Sequence, residues 1–99
     1  MQSGIGRTGT FFAYEQFNIT PDILCFAKGI ANGFPLGGIL TSDKIGNFMS
    51  IGSHGTTFGG GPIACSIGSL VVDIISKKTF LKKVQKKEGV FLNQLNKIN

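Results

Sequence analysis

Ile23-Leu24-Cys25-Phe26-Ala27 is an unbroken apolar run, bounded by Pro21-Asp22 on one side and Lys28-Gly29 on the other. A short run rich in branched and aromatic residues between turn formers predicts a strand covered on both faces, as in a parallel sheet. Ile39-Leu40-Thr41 predicts a second strand. From Pro62 to about Ser76 apolar residues occur nearly all round the helical period, which predicts a buried helix with Pro62 at its first position. From about Thr79 to Ile98 they narrow to one stripe, Leu81, Val84, Phe91, Leu95 and Ile98, with lysines opposite. That pattern predicts a closing amphipathic helix. Phe11 to Phe17 predicts a shorter one closed by Asn18, and Ser42-Asp43-Lys44 the start of another with Ser42 as its cap.

Glycine separates these elements. Thirteen of the 15 glycines lie in the first 61 residues, and such density means tight turns or close approach of the backbone to a ligand. Exposed amides in Gly52-Ser53-His54-Gly55-Thr56-Thr57-Phe58-Gly59-Gly60-Gly61, with the Thr56 and Thr57 hydroxyls, could cradle a phosphate or could serve turn chemistry alone. The Gly4 to Gly9 loop lacks the Gly-Lys-Ser/Thr ending of a nucleotide P-loop. Strands and helices alternating through glycine loops predict an α/β architecture with a mostly parallel sheet and flanking helices.

Charge and cysteine usage remove other classes. The net charge of +5 resolves into +6 on the tail from Lys77 onward and −1 over residues 1 to 76. The basic stripe therefore reads as the solvated face of the last helix, and no nucleic acid is expected as a partner. No stretch reaches the length of a membrane span, no basic-then-apolar leader opens the chain, and a cytoplasmic location is expected. Cys25 and Cys65 lie forty positions apart inside apolar runs, which predicts buried thiols in a reducing compartment and no metal site.

Lys28 is the position where chemistry is expected. At the carboxyl end of a buried strand its stem lies against apolar surface, and its amine points into the crevice where open α/β sheets bind ligands. Desolvation there favours the neutral amine, a nucleophile or base. A lysine snorkelling from a strand end to water explains the same pattern. A glycine-rich phosphate loop beside a strand-end lysine points to pyridoxal phosphate.

Gln2-Ser3-Gly4-Ile5-Gly6-Arg7-Thr8-Gly9 and Thr20-Pro21-Asp22-Ile23-Leu24-Cys25-Phe26-Ala27-Lys28-Gly29, followed by Gly33-Phe34-Pro35-Leu36-Gly37-Gly38 and Ser53-His54-Gly55-Thr56-Thr57-Phe58-Gly59-Gly60, resemble the class III aminotransferases. The His-Gly-Thr-Thr block is most similar to the acetylornithine branch of that family, with ornithine-type and 4-aminobutyrate transaminases nearby. The resemblance implies a fold type I large domain and pyridoxal 5'-phosphate as cofactor. It implies that Lys28 holds the cofactor as a Schiff base and serves as general base. Gln2 corresponds to a glutamine contacting the cofactor's phenolic oxygen. Thr57 corresponds to a threonine reaching the phosphate of the neighbouring subunit in a homodimer, and Thr56 stands beside it. Gly61 stands where the family commonly has an asparagine before the helix proline. His54 carries no role from the resemblance.

The resemblance also implies an incomplete large domain. Residues 1 to 78 correspond to part of the cofactor-binding domain, and 79 to 99 to the start of the helix leading to a small carboxyl-terminal domain. The aspartate that hydrogen-bonds the pyridine nitrogen and keeps it protonated falls three positions before Gln2, and the family's substrate-recognising arginines fall outside the chain. The implied reaction exchanges an amino group between an acylated basic amino acid, such as acetylornithine, and 2-oxoglutarate. This stretch alone is expected not to catalyse it and to fold only partly. A decarboxylase or racemase on the same cofactor, and a non-catalytic phosphate- or nucleic-acid-binding module, remain alternatives from sequence.

Overall fold

The computed structural model describes residues 1–98. Five elements carry the chain: β1 (Ile23–Ala27), β2 (Gly37–Thr41), the one-turn helix α1 (Asp43–Gly46), and the longer helices α2 (Pro62–Ile75) and α3 (Lys78–Leu95). Short 3-10 turns occupy Ala13–Phe17 and Lys28–Ala31. The expected helix over Phe11 to Phe17 is thus a single tight turn, in which the Phe12 amide donates to Glu15 Oε1 at 2.8 Å. It closes on Asn18 in the left-handed region at φ 52°, which asparagine tolerates better than most residues.

β1 and β2 pair antiparallel, with Ile23 opposite Thr41 and Ala27 opposite Gly37. The parallel pairing expected for β1 is therefore not the pairing within this segment. Side chains alternate across a strand, and this one leaves Ile23 and Cys25 exposed while Leu24 and Phe26 are partly covered. The Phe26 ring lies over Gly38, where a Cβ would come within 2.6 Å of its Cζ. Glycine at that position is what lets the ring fold flat across its strand partner.

The core is small: Ile5, Ile30 and Ala31, with Phe11, Phe12, Phe26, Leu36, Ile67, Val71, Val72 and Ile75 packed against it. α2 meets it through its smallest residues, Ala64 and Gly68, the two it buries. A Cβ on Gly68 would stand 2.7 Å from Leu36 Cδ2. α2 was expected to be buried all round; its outward residues Ile63 and Leu70 are 66% and 61% exposed. Cys65 lies on that open side and Cys25 on the open face of β1, so both cysteines are exposed rather than buried. α3 ends at Leu95, earlier than its pattern implied, and its stripe engages only at Leu81 and Val84. Phe91 is 65% exposed. Ser42 occupies the α1 N-cap position and Gly61 that of α2, neither with a side-chain cap.

The surface is too large for a self-contained domain. The chain exposes 7903 Å², whereas a folded monomer of this mass exposes about 5,400 Å². The radius of gyration is 16.5 Å, against about 13 Å for a compact chain of this length. Exposed apolar side chains lie on β1, α2 and distal α3, and on the connecting loops at Phe48, Ile51 and Phe58. The isolated 99-residue chain is accordingly expected to unfold over a broad thermal range and to bind a hydrophobic dye below it. A sharp, dye-silent calorimetric transition would contradict this.

Candidate functional site

β1 ends at Ala27, whose backbone is fully extended, and Lys28 enters the left-handed region at φ 58°. An L residue there carries a cost of about 1–2 kcal/mol, and backbone strain of this kind gathers at functional positions. The abrupt change of direction converts strand to 3-10 turn within one residue. It also brings Lys28 Nζ to Gln2, where it donates a hydrogen bond to Oε1. Lys28 is exposed, not desolvated as its position after a buried strand implied. The face of β1 that carries Ile23 and Cys25 is uncovered in this segment.

The loop bearing Gln2 is held independently of Lys28. The Gly6 amide donates to Phe11 O at 2.9 Å and the Gly9 amide to Gly6 O at 3.2 Å. Gln16 Nε2 donates to Thr8 O at 2.7 Å, and Gln85 Nε2, from α3, to Gly9 O at 3.0 Å. Gly6 and Gly9 both have positive φ, 76° and 80°, so the tight turn between them suits glycine at both ends. Ile5, within the same loop, is one of the buried core residues. Gln2 thus extends from a loop docked on the ends of α2 and α3.

Lys28 lines an open cleft of about 510 Å³ with Arg7, Gly29, Asn32, Gly33, Phe34, Pro35 and Leu36. Thr57 lines a different cleft, with Phe34, Pro35, Phe58 and Pro62. The two clefts share Phe34 and Pro35, so this segment brings Lys28 and Gln2 together and leaves Thr57 in the neighbouring hollow. Thr56 Oγ1 is engaged locally, accepting the Phe58 amide at 3.2 Å. His54 is exposed, its Nδ1 3.3 Å from Ser53 Oγ. Sequence reasoning gave Arg7 no role, although it is the one charged residue in the turn from Gly6 to Gly9. No residue pattern signalled the left-handed backbone of Lys28. Among the described residues no cluster of His, Cys, Asp or Glu could hold a metal ion, and no helix is long and apolar enough to cross a membrane.

The donor set fits an aldehyde cofactor with an adjacent phenolic oxygen. The Lys28 amine is accessible and nucleophilic in its neutral form, and Gln2, with its carbonyl oxygen on Nζ, keeps an amide N–H₂ free to donate beside it. What the geometry defines is an incomplete α/β domain that presents an accessible lysine, hydrogen-bonded to the Gln2 amide oxygen, from a strained strand end.

Sequence comparison gives that domain its family. The model for aminotransferase class-III matches residues 1–99, and the chain belongs to that family. It is 46% identical over 99 residues to an acetylornithine/succinyldiaminopimelate aminotransferase of Buchnera aphidicola, and spans 24% of that protein's length. It superposes on an acetylornithine aminotransferase from Elizabethkingia anophelis with a TM-score of 0.89 and 31% identity, covering 97% of this chain and 24% of the other. A taurine:2-oxoglutarate aminotransferase from Bifidobacterium kashiwanohense, solved in complex with PLP and glutamate, gives 0.90 and 32%, covering 99% and 23%. The chain therefore spans about a quarter of the length of proteins it matches throughout, and its fold is part of their large domain.

Proposed function

We propose that this chain is the lysine-bearing segment of a pyridoxal 5'-phosphate-dependent aminotransferase that moves an amino group between acetylornithine, or a similar acylated basic amino acid, and 2-oxoglutarate. The observation that carries the reading is Lys28. It ends β1 in a strained backbone state, is accessible, and donates to Gln2, within a family match that runs the whole length of the chain. The cofactor, when bound, supplies an electron sink for negative charge developing at the substrate α-carbon. Lys28 Nζ is the group that would anchor it and the base that would take up the substrate α-carbon proton. Gln2 fixes the direction of Nζ and offers its amide hydrogens to an oxygen beside it. Thr57, assisted by Thr56, is assigned to the cofactor phosphate of a second subunit in a homodimer, which suits its place in a separate cleft. Residues 79 to 99 are assigned to the helix leading into a small domain.

A chimera tests the reading. Residues 1–99 replace the matching segment of the Elizabethkingia anophelis enzyme, and the product is assayed for amino transfer from acetylornithine to 2-oxoglutarate. Borohydride reduction in the presence of the cofactor should leave a pyridoxyl mass on the Lys28 peptide, and transfer should proceed at a rate near the parent's. A folded, cofactor-loaded chimera labelled at another lysine would exclude the assignment.

A further inference from the structure

α3 meets the body of the chain through few groups. Leu81 and Val84 are its partly covered residues, and its distal half leaves Val90, Phe91, Leu92 and Leu95 exposed. Among the described residues, the bond from Gln85 Nε2 to Gly9 O is the one side-chain hydrogen bond that joins α3 to another part of the chain. The turn it reaches straddles the elbow between α2 and α3. Gly6 and Gly9 are buried there, whereas Arg7 between them is exposed. Gly6 faces Ile75 and Leu81, and a Cβ on Gly9 would collide with Gln85 Cγ, so the glutamine stem lies directly over that glycine. A carbonyl on a buried residue needs a hydrogen-bond partner. Gln85 supplies it at Gly9 O, and without that donor the turn must open toward water to satisfy the oxygen. Because the Gly9 amide closes the turn on Gly6 O, opening at Gly9 loosens Gly6 as well. From Gly6 the chain runs back through Ile5 to Gln2, whose side-chain oxygen accepts from Lys28 Nζ. Ile5 holds this stretch to the core by apolar contact, which has no direction. The bond from Gln85 is directional and fixes how the loop is rotated about that anchor.

We propose that Gln85 is a positioning residue for Lys28: its amide latches α3 to the loop that carries Gln2, and so sets the direction of Lys28 Nζ. The inference rests on the aminotransferase reading above, which gives that amine its task. Its consequence is a contiguous connection between α3 and the lysine, running through Gly9, Gly6 and Gln2. A change in the seating of α3 is thereby felt at Nζ, although no residue of α3 lines the Lys28 cleft.

The experiment uses the chimera, after the pyridoxyl label on Lys28 has been verified. The concentration of pyridoxal 5'-phosphate that gives half-maximal labelling of Lys28 is measured for the parent chimera and for Gln85→Met, Gln85→Lys and Gln94→Met. Gln85→Met keeps the stem and removes the donor, so half-labelling should need about fivefold more cofactor, the equivalent of one hydrogen bond. Gln85→Lys returns a donor to the neighbourhood of Gly9 O and should stay within about twofold of the parent. Gln94, exposed on the distal half of the same helix, is the control, and its substitution should leave labelling unchanged. In the cofactor-free chimera the Gly6 and Gly9 amides should exchange hydrogen faster in Gln85→Met while α2 keeps its protection. Beside Gln2→Met the same substitution should add little, because the loop no longer carries the group that orients Nζ. Unaltered half-labelling in Gln85→Met, equal weakening in Gln85→Lys, an undiminished effect beside Gln2→Met, or faster exchange spread over α2 would each overturn the proposal. Where Gln2→Met labels too weakly to titrate, the comparison of Gln85→Met with Gln85→Lys decides. A Gln85→Met chimera that fails to fold overturns it as well, since Gln85 would then serve the fold rather than the lysine. A parent chimera that never labels Lys28 refutes the functional reading instead, so the two failures are distinct.

Discussion

Lys28→Ala in the chimera should lower amino transfer by at least about 10²–10⁴-fold, the range for removing a positioned general base, and should abolish the pyridoxyl label. Stability should move by less than about 0.5 kcal/mol, because the side chain is exposed and Gln2, to which it donates, is exposed as well. Alanine meets the same backbone cost at φ 58° as lysine does, so the substitution leaves the strain where it was. The combination discriminates. A residue acting only as a strand-end spacer would affect neither property, and one acting through the fold would affect both. Adding a small primary amine should restore part of the rate, since it can enter the vacated space and accept the α-carbon proton. Unchanged transfer in a folded Lys28→Ala chimera would remove Lys28 from the chemistry.

Lys28 also shows how far the sequence reaches. Its place at the end of an apolar run is a local pattern, and the strand ending at Ala27 is where that pattern locates it. Pro62 at the head of α2 and Asn18 at a left-handed turn are equally local, since each residue's backbone preference points to one conformation. Burial is different. Cys25, Cys65, Ile63 and Leu70 are apolar positions in apolar runs, and composition predicts them inside. Whether they are covered depends on surface that other segments supply, and here they are exposed. The direction of pairing between β1 and β2 is also nonlocal. The run of Ile23–Ala27 suits a strand covered on both faces and carries no information about which neighbour lies beside it. Within the candidate site, the motif named Lys28 and Gln2 separately, and folding made them hydrogen-bond partners. Arg7 went unassigned because a charged residue in a glycine turn is indistinguishable from a solvated one until the turn is docked.

The docking of that turn yields the second large effect. Gly6→Ala should destabilise the chimera by about 2–5 kcal/mol, read from the denaturant midpoint. Two costs combine: about 1–2 kcal/mol for an L residue at φ 76°, and about 1–3 kcal/mol for a methyl forced into packed surroundings. The new Cβ would stand 2.5 Å from Ile75 Cγ2. Ile75 is a β-branched residue at the end of α2, packed against the core, and has little freedom to turn aside. Gly9→Ala sets the comparison. Its φ of 80° carries the same backbone cost, but the methyl would meet Gln85 Cγ, on a long exposed side chain that can swing away. That swing sacrifices one hydrogen bond to Gly9 O and little packing, so Gly9→Ala should cost about 1–2 kcal/mol less than Gly6→Ala. Because Gln2 and Arg7 ride on the same loop, Gly6→Ala should also reduce labelling of Lys28 at temperatures where the chimera is still folded. Equal costs at the two glycines would show that the backbone conformation alone sets the penalty and that the contact between Ile75 and the loop contributes nothing to holding the site.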